Sequence, residues 1–154
     1  MSKYHEPVLL NESVDGLNID SKGIYVDATF GGGGHSRAIL SKLDGGHLYA
    51  FDQDDEALKN VIEDKEFTLI NANFRYLKNS LRMYGVNEVD GLMADLGVSS
   101  HQFDFADRGF SIRFESELDM RMDQNAELDA YKVLNTYEQD DLRDVLKCYG
   151  ELKH

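Results

Sequence analysis

The sequence has little cysteine, little positive charge and no long apolar run. Its single cysteine, Cys148, excludes an intrachain disulfide and fits a reducing compartment such as the cytoplasm. No apolar run approaches the roughly 18 residues of a membrane-spanning helix, and residues 1–7 lack the basic and hydrophobic regions of a signal peptide. We therefore expect a cytoplasmic protein with no membrane contact.

The low positive charge and the absence of metal-binding and hydrolase motifs limit the functions that the sequence allows. Lys and Arg number 16 against 29 Asp and Glu, so the net charge is −13, which argues against general affinity for nucleic acid. No Cys and His residues have zinc-ligand spacing, and neither an H-E-x-x-H motif nor a Ser/His/Asp arrangement is apparent. The sequence therefore predicts no metal site.

Apolar strands and helical segments alternate through the first two thirds of the chain. At 154 residues with 42% hydrophobic content, this is ordinary globular material of single-domain length. A β-α-β-α-β-α-β run predicts a parallel sheet with right-handed crossovers, in the strand order 3-2-1-4. The predicted strands are 24–28, 47–51, 67–70 and 89–96, and the predicted helices between them are 36–43, 54–62 and 74–83.

The pattern changes after residue 97. Residues 97–125 are charged and aromatic without a clean period, and 127–134 and 139–149 read as amphipathic helices. No further strand is predicted, so the fourth strand lies at a sheet edge that would pair readily with another strand. We expect either that a piece of the fold is missing or that another chain, such as a second copy in a homodimer, covers this edge.

Four consecutive glycines follow the first predicted strand. Asp27, Gly31 and Gly33 form a D-x-x-x-G-x-G pattern, the usual first turn of enzymes that use S-adenosylmethionine. The nicotinamide fingerprint G-x-G-x-x-G fits less well, because Ser36 or Arg37 stands at its third glycine. A strand, a glycine loop and a helix N-terminus together can receive an anionic ligand. The alternative is a tight structural turn.

The next two strand ends carry candidate nucleoside contacts. Asp52 ends the second strand, where a carboxylate can accept hydrogen bonds from both ribose hydroxyls and would repel the 2′-phosphate of NADP. Phe74 follows the third strand, where it could pack on adenine or equally belong to the core.

The fourth strand ends in Asp95, followed by the polar residues 99–102. Asp95 stands where the catalytic acceptor of a methyltransferase would, although an Asp at a strand end is usually a cap or turn residue. Further on, Arg108, Phe110 and Arg113 interleave arginine with aromatic rings, a combination that suits stacked bases and phosphates. A solvated loop with salt bridges is the alternative for this segment.

Taken in order, these motifs resemble the MraW-type family of 16S ribosomal RNA cytosine-N4 methyltransferases. The matching blocks are His5–Leu10, Tyr25–Ser36, Asp95–Ser100, Arg108–Phe110, Leu118–Asp123, Leu134–Thr136 and Tyr149–Glu151.

The resemblance implies a cytoplasmic, Rossmann-like enzyme. Such an enzyme uses S-adenosylmethionine to methylate the exocyclic amine of one cytosine in the decoding centre of 16S rRNA, within the small ribosomal subunit. It divides the chain into a cofactor-binding half, 1–104, and the start of a helical substrate-recognition insertion, 105–154. His101 departs from the proline frequent in the family. The cofactor contacts that the resemblance implies are Gly33, Gly34, His35, Asp52, Phe74, Asp95 and Gln102.

Two alternatives stay open. One is a methyltransferase for another amine, on DNA or a small molecule. Enzymes that methylate DNA amines usually carry a Pro-Pro-aromatic step after the strand-four acid, which here is Leu96-Gly-Val98. The other is a truncated, non-catalytic cofactor-binding module that acts through its open sheet edge.

Overall fold

The computed structural model describes residues 7–150 and Leu152. Within the blocks that carry the family resemblance, His5, Glu6 and Glu151 lie outside the described residues. Backbone contacts divide the chain into two units. We call the one that ends at Gly97 the sheet unit and the one that begins at Val98 the helical unit.

The sheet unit alternates short helices and strands, as the sequence pattern predicts. Its strands are β1 (Ile24–Asp27), β2 (His47–Asp52), β3 (Phe67–Asn71) and β4 (Gly91–Met93). Its α-helices are α1 (Leu10–Gly16), α2 (Gly34–Leu40) and α3 (Leu77–Met83).

All strand pairs are parallel and the order is β3-β2-β1-β4, which confirms the predicted α/β Rossmann-like topology. Successive strand residues point to opposite faces, and both faces are covered. Tyr25 and Leu48 pack with Ile39 of α2, whereas Val26 and Phe51 pack with α3. Burial on both faces is the condition under which parallel sheets are found.

Strand β4 is shorter than predicted, with three residues in place of residues 89–96. A side chain takes one hydrogen-bonding position of the ladder at each of its ends, although the Asp90 N–H still donates to the Ile24 carbonyl at 2.7 Å. Before β4, the Asp90 carboxylate accepts the Ile24 N–H at 2.8 Å. After it, the Asp95 N–H donates to the hydroxyl of Thr29 at 2.8 Å. Such hydrogen bonds between distant side chains and backbone cannot be predicted from sequence periodicity.

The segment after β2 is a 3₁₀ helix, Asp55–Asn60, within the helix that the sequence predicts over 54–62. The Ala57 N–H donates to the Asp54 carbonyl three residues earlier, at 3.0 Å, which is 3₁₀ bonding. The Asp54 side chain caps this helix by accepting the Glu56 N–H at 3.1 Å. A second 3₁₀ turn, Phe74–Tyr76, leads into α3.

The helical unit contains α4 (Ser100–Asp104), a 3₁₀ turn (Ala106–Arg108), α5 (Ala130–Thr136) and α6 (Gln139–Gly150). The last two confirm the predicted amphipathic helices, with α5 starting three residues later than predicted. The Asp129 side chain caps α5 by accepting the Lys132 N–H at 2.7 Å. Across the described part of the chain, no helix has the length and apolar character to cross a membrane.

Candidate functional site

The glycine loop lies between β1 and α2, at the carboxyl edge of the sheet. Gly31 and Gly33 have φ values of +50° and +75°, a left-handed conformation that glycine adopts without penalty. A Cβ on Gly33 would lie 2.8 Å from both the Phe30 ring and the Arg37 guanidinium. At Gly31 nothing lies within 4 Å of an added Cβ, so the loop faces open space there.

Side chains hold the loop from outside. The Gly31 N–H donates to Asp52 Oδ2 at 2.7 Å, and the Gly31 carbonyl accepts from Asn60 Nδ2 at 3.1 Å. The Gly32 carbonyl accepts from Arg37 at 2.7 Å. The flexible glycines are thereby fixed in one backbone conformation before any ligand arrives, which lowers the entropic cost of binding.

Asp52 stands at the end of β2, as the sequence predicts. Its carboxylate accepts the backbone N–H groups of Gly31 at 2.7 Å and Asp54 at 2.9 Å, and a further one from Gln53. Burial raises the pKa of Asp52 above its ordinary value, against the lowering effect of those hydrogen bonds. A carboxylate has about four acceptor sites, so Asp52 keeps acceptor capacity for a ligand hydroxyl.

Asp27 ends β1 and is fully buried. Its carboxylate accepts the Ser36 hydroxyl at 2.7 Å and the Thr29 N–H at 3.1 Å. Burial raises the pKa of Asp27, and the hydrogen bond from Ser36 opposes that rise. Asp27 therefore joins the end of β1 to the first turn of α2.

His35 and Gly34 begin α2 and face different surroundings. His35 is buried, and among the described residues its Nε2 is the one buried side-chain polar atom without a hydrogen-bond partner. A Cβ on Gly34 would overlap the Pro7 ring, with 2.3 Å to its Cγ. Glycine at position 34 therefore permits Pro7 to lie against the loop.

Phe74 opens the 3₁₀ turn after β3 and is 44% exposed, so it is not a buried core residue. The preceding Asn73 caps this turn by accepting the Arg75 N–H at 2.9 Å. Asn73 also donates to the Gln53 side chain at 2.6 Å, which ties the loop after β3 to the end of β2.

Asp95 lies two residues beyond β4 with an exposed side chain. Its backbone N–H is held by the Thr29 hydroxyl. The ends of β1, β2 and β4 are thus joined by side-chain hydrogen bonds. In the order β3-β2-β1-β4, the order of strand addition reverses between β1 and β4, which is where ligands bind in open α/β sheets.

Gln102 belongs to the helical unit and is buried. It completes a capping box at the start of α4. Its side-chain oxygen accepts the Ser99 N–H at 3.0 Å, and the Ser99 hydroxyl accepts the Gln102 N–H at 3.2 Å. Its role as a cofactor contact stays a prediction.

The predicted substrate residues Arg108, Phe110 and Arg113 have contrasting surroundings in the helical unit. Arg108 is buried, and its guanidinium donates to the carbonyls of Arg121 and Met122 at 2.9 and 3.3 Å. It also lies over the Phe110 ring at 5.9 Å. The Arg113 side chain is 61% exposed and donates to Asp104 at 3.0 Å. The Arg113 charge is thus exposed to solvent, whereas the Arg108 guanidinium donates hydrogen bonds to backbone carbonyls of the same unit.

The sheet unit offers what an S-adenosylmethionine site needs. An open loop face lies at Gly31, a half-buried carboxylate at Asp52 can accept hydroxyl hydrogen bonds, and His35 Nε2 is a buried polar atom with no protein partner among the described residues. The residues therefore fit this group. Within the described part of the chain, no group of three or more His, Cys, Asp and Glu side chains is arranged to hold a metal.

Sequence reasoning missed the residues that support the site: Thr29, Ser36, Arg37, Asn60 and Asn73. Each acts through its side chain on backbone or on a buried carboxylate. The only sequence signal was the position of Thr29 two residues after an apolar strand, at the reversal of strand order.

The sequence matches the MraW methylase family over residues 2–154. A relative from Phocaeicola vulgatus, named ribosomal RNA small subunit methyltransferase H, is 61% identical over 98% of this chain and 50% of its own length. One of the same name from Flavobacterium johnsoniae is also 61% identical, over 99% of this chain and 51% of its length.

This chain therefore spans about half the length of the curated relatives it matches. A solved rRNA methylase from Streptococcus thermophilus is 28% identical, with a TM-score of 0.42 and coverage of 51% of each chain. Because the family match extends over nearly every residue, the chain belongs to the MraW methylase family.

Proposed function

We propose that this protein takes part in the S-adenosylmethionine-dependent methylation of 16S rRNA, at the N4 amine of a cytosine in the decoding centre. The observation that carries the proposal is the preorganised carboxyl edge of the sheet, where the glycine loop, Asp52 and Asp95 are linked through hydrogen bonds. The names of relatives 61% identical to this chain support rRNA of the small ribosomal subunit as the substrate. The protein would act in the cytoplasm.

Cofactor binding is assigned to the loop and the strand ends. The amides of Gly34 and His35 receive the amino-acid end, and Asp52 accepts the ribose hydroxyls. Gly33 lines the loop beside them, with its own N–H donating to the Phe30 carbonyl at 2.7 Å. Phe74, which is 44% exposed, packs on the adenine. Gln102 is proposed as a further contact. When bound, S-adenosylmethionine supplies an electrophilic methyl group on a sulfonium.

Asp95 is the proposed catalytic residue. The cytosine amine is a poor nucleophile because its lone pair is delocalised into the ring. An exposed carboxylate accepting its N–H bonds would localise that lone pair and later receive the proton that the amine releases. The base must leave its stack to reach this loop, as base-modifying enzymes require.

RNA contact is assigned to a local basic track in an otherwise acidic chain. Arg113 is exposed and lies over the Phe114 ring at 5.7 Å, an arrangement suited to phosphate and base contacts. Phe110 offers a stacking surface. Arg108 supports this segment through its backbone contacts. With a net charge of −13, such contacts would depend on local geometry and not on overall attraction.

The edge of β4 is the proposed pairing surface. Among the described residues β4 pairs with β1 alone, and Leu92 at its centre is 49% exposed. A further strand, from additional sequence or from a second copy, would satisfy this edge.

The test is calorimetry with S-adenosylmethionine followed by methylation of purified small ribosomal subunits, using the full-length protein. Asp52→Asn removes a charged acceptor, so we expect cofactor affinity to fall roughly 10- to 100-fold, from about 1.5–3 kcal/mol. The matched control is Asp44→Asn. Its side chain is 91% exposed and precedes β2, at the opposite edge of the sheet.

Equal loss in both variants would remove Asp52 from the site. Cofactor binding without methyl transfer to any small subunit would favour a non-catalytic binding module. Transfer to another amine in preference to rRNA would assign a different substrate. Failure of the wild-type protein to bind the cofactor would overturn the proposal.

A further inference from the structure

The pairing of β1 with β4 ends in an irregular hydrogen bond. The Ala28 N–H donates to the Met93 carbonyl at 2.9 Å, as in a regular parallel ladder. In such a ladder the next bond would run from the Asp95 N–H to the Ala28 carbonyl. Instead, the Asp95 N–H donates to the side-chain hydroxyl of Thr29 at 2.8 Å. One side chain thus links two loops where their backbone pairing stops.

Thr29 is itself held in place by a buried group. Its backbone N–H donates to Asp27 Oδ1 at 3.1 Å, and Asp27 Oδ2 accepts the Ser36 hydroxyl at 2.7 Å. Asp27 and Ser36 are both fully buried, so this end of the chain of hydrogen bonds is shielded from water. This series of hydrogen bonds runs from the first turn of α2, through the end of β1, to the backbone of Asp95.

We propose that Thr29 is a positioning residue for methyl transfer, setting the backbone of Asp95 relative to the glycine loop. This inference rests on the proposed function. The glycine loop would hold the methyl donor and Asp95 the acceptor amine, so their relative placement decides whether the reacting atoms align. A misplacement of about 1 Å can cost on the order of 100-fold in rate. Thr29 thus connects the exposed Asp95 to the buried hydrogen bonds of Asp27.

The test compares Thr29→Val with Thr29→Ser in the full-length protein. Valine has the same shape without the hydroxyl, and it keeps the backbone N–H that Asp27 accepts. Serine keeps the hydroxyl. Thr68→Val is the matched control, because Thr68 also loses a side-chain hydrogen bond, to His47 Nε2 at 2.9 Å, within the same sheet.

We expect Thr29→Val to lower kcat for small-subunit methylation by roughly 10- to 100-fold. The Kd for S-adenosylmethionine should stay close to the wild-type value, because the glycine loop and Asp52 are untouched. Thr29→Ser should recover most of kcat, and Thr68→Val should keep it. Amide hydrogen exchange at Asp95 should accelerate in Thr29→Val alone.

Several results would overturn the inference. Equal kcat in Thr29→Val and wild type would do so, as would equal losses in Thr29→Val and Thr68→Val, which would indicate general destabilisation. A parallel loss of cofactor affinity and kcat in Thr29→Val would place Thr29 in cofactor binding. Absence of binding and transfer in the wild-type protein would instead count against the proposed function, so the two failures are distinguishable.

Discussion

The sheet unit and the helical unit stabilise their acidic groups by different means. In the sheet unit, Asp27 and Asp52 accept hydrogen bonds from backbone N–H groups and from Ser36, and burial raises the pKa of each. In the helical unit, Asp119 accepts three hydrogen bonds from Arg121, and that side chain holds the pKa of Asp119 below its ordinary value. Burial therefore destabilises the charged form of these two carboxylates, whereas Arg121 stabilises the charged form of Asp119.

This difference bears on function. Backbone and buried side chains fix the glycine loop, so the sheet unit presents a preformed surface to a small ligand. In the helical unit, Arg108 and Arg121 donate hydrogen bonds to the unit's own backbone. Arg108 donates to the Arg121 carbonyl, and Arg121 donates to the Ala126 carbonyl at 2.8 Å. Its arginines are thus not interchangeable as RNA contacts.

The largest expected effect breaks the glycine loop. Gly33→Ala should lower the free energy of unfolding by about 1–2 kcal/mol, because an alanine is disfavoured in the left-handed conformation. Overlap of its Cβ with Phe30 and Arg37 should lower it by about 1–3 kcal/mol more. Gly31→Ala is the control, because its backbone is also left-handed but its added Cβ meets nothing within 4 Å. Urea unfolding measures both. Equal losses would mean that the overlap is relieved at no cost.

The next effect separates two arginines of the helical unit. Arg108→Met should destabilise the protein by about 1.5–3 kcal/mol, because it removes the charged hydrogen bonds from the buried guanidinium to the carbonyls of Arg121 and Met122. Thermal unfolding measures this loss. A variant as stable as the wild type would show that the buried guanidinium is dispensable.

Arg113→Met is the matched variant on the exposed side. Its ion pair with Asp104 lies at the surface and is worth about 0–1 kcal/mol, so stability should barely change. Its affinity for small subunits should fall, and the slope of log affinity against log salt should decrease by about 1. Unchanged affinity and slope would remove Arg113 from the RNA surface.

A smaller effect tests the buried network of the sheet unit. Ser36→Ala removes the hydroxyl that Asp27 accepts and should cost about 1–2 kcal/mol in the free energy of unfolding. Ser41→Ala, at the exposed C-cap of the same helix, loses a bond to the Ala38 carbonyl and should cost less. A reversed order would contradict the burial argument.

The subtlest prediction concerns pH. Asp27 has a folded-state pKa above its unfolded value of 3.8, so the native state binds more protons between the two values. The contribution of Asp27 to stability is therefore present below 3.8 and is lost as pH rises through its folded pKa. Asp119 has a folded pKa below 3.8, so its contribution is present above 3.8 and is lost as pH falls through that folded pKa.

Unfolding free energies measured across this range, for wild type, Asp27→Asn and Asp119→Asn, would check both signs. Asp27→Asn should flatten the decline in stability above 3.8, and Asp119→Asn should flatten the decline below it. The same slope in all three proteins would contradict the contrast between the units.

The sheet could be predicted from sequence because buried parallel strands are continuous apolar runs separated by helical segments. The position of Asp52 could be predicted for a related reason, since the end of an apolar strand marks the carboxyl edge. The short β4 could not be predicted, because Asp90 and Thr29 replace backbone partners through contacts between distant residues.

Arg108 shows the limit more clearly. In sequence it alternates with aromatic residues like a nucleic-acid contact, and Arg113 does the same. Only the fold reveals that the carbonyls of Arg121 and Met122, 13 and 14 residues away, take up the Arg108 guanidinium. Burial of a charged group depends on what the chain folds around it, and local composition does not carry that information.

The central claim is that the carboxyl edge of the sheet holds S-adenosylmethionine, and a crystal structure of the protein grown with this compound tests it most directly. We expect its amino-acid end beside Gly33, against the amides of Gly34 and His35, and its ribose hydroxyls within hydrogen-bonding distance of Asp52. Electron density for the compound at another surface, or its absence at saturating concentration, would contradict the account.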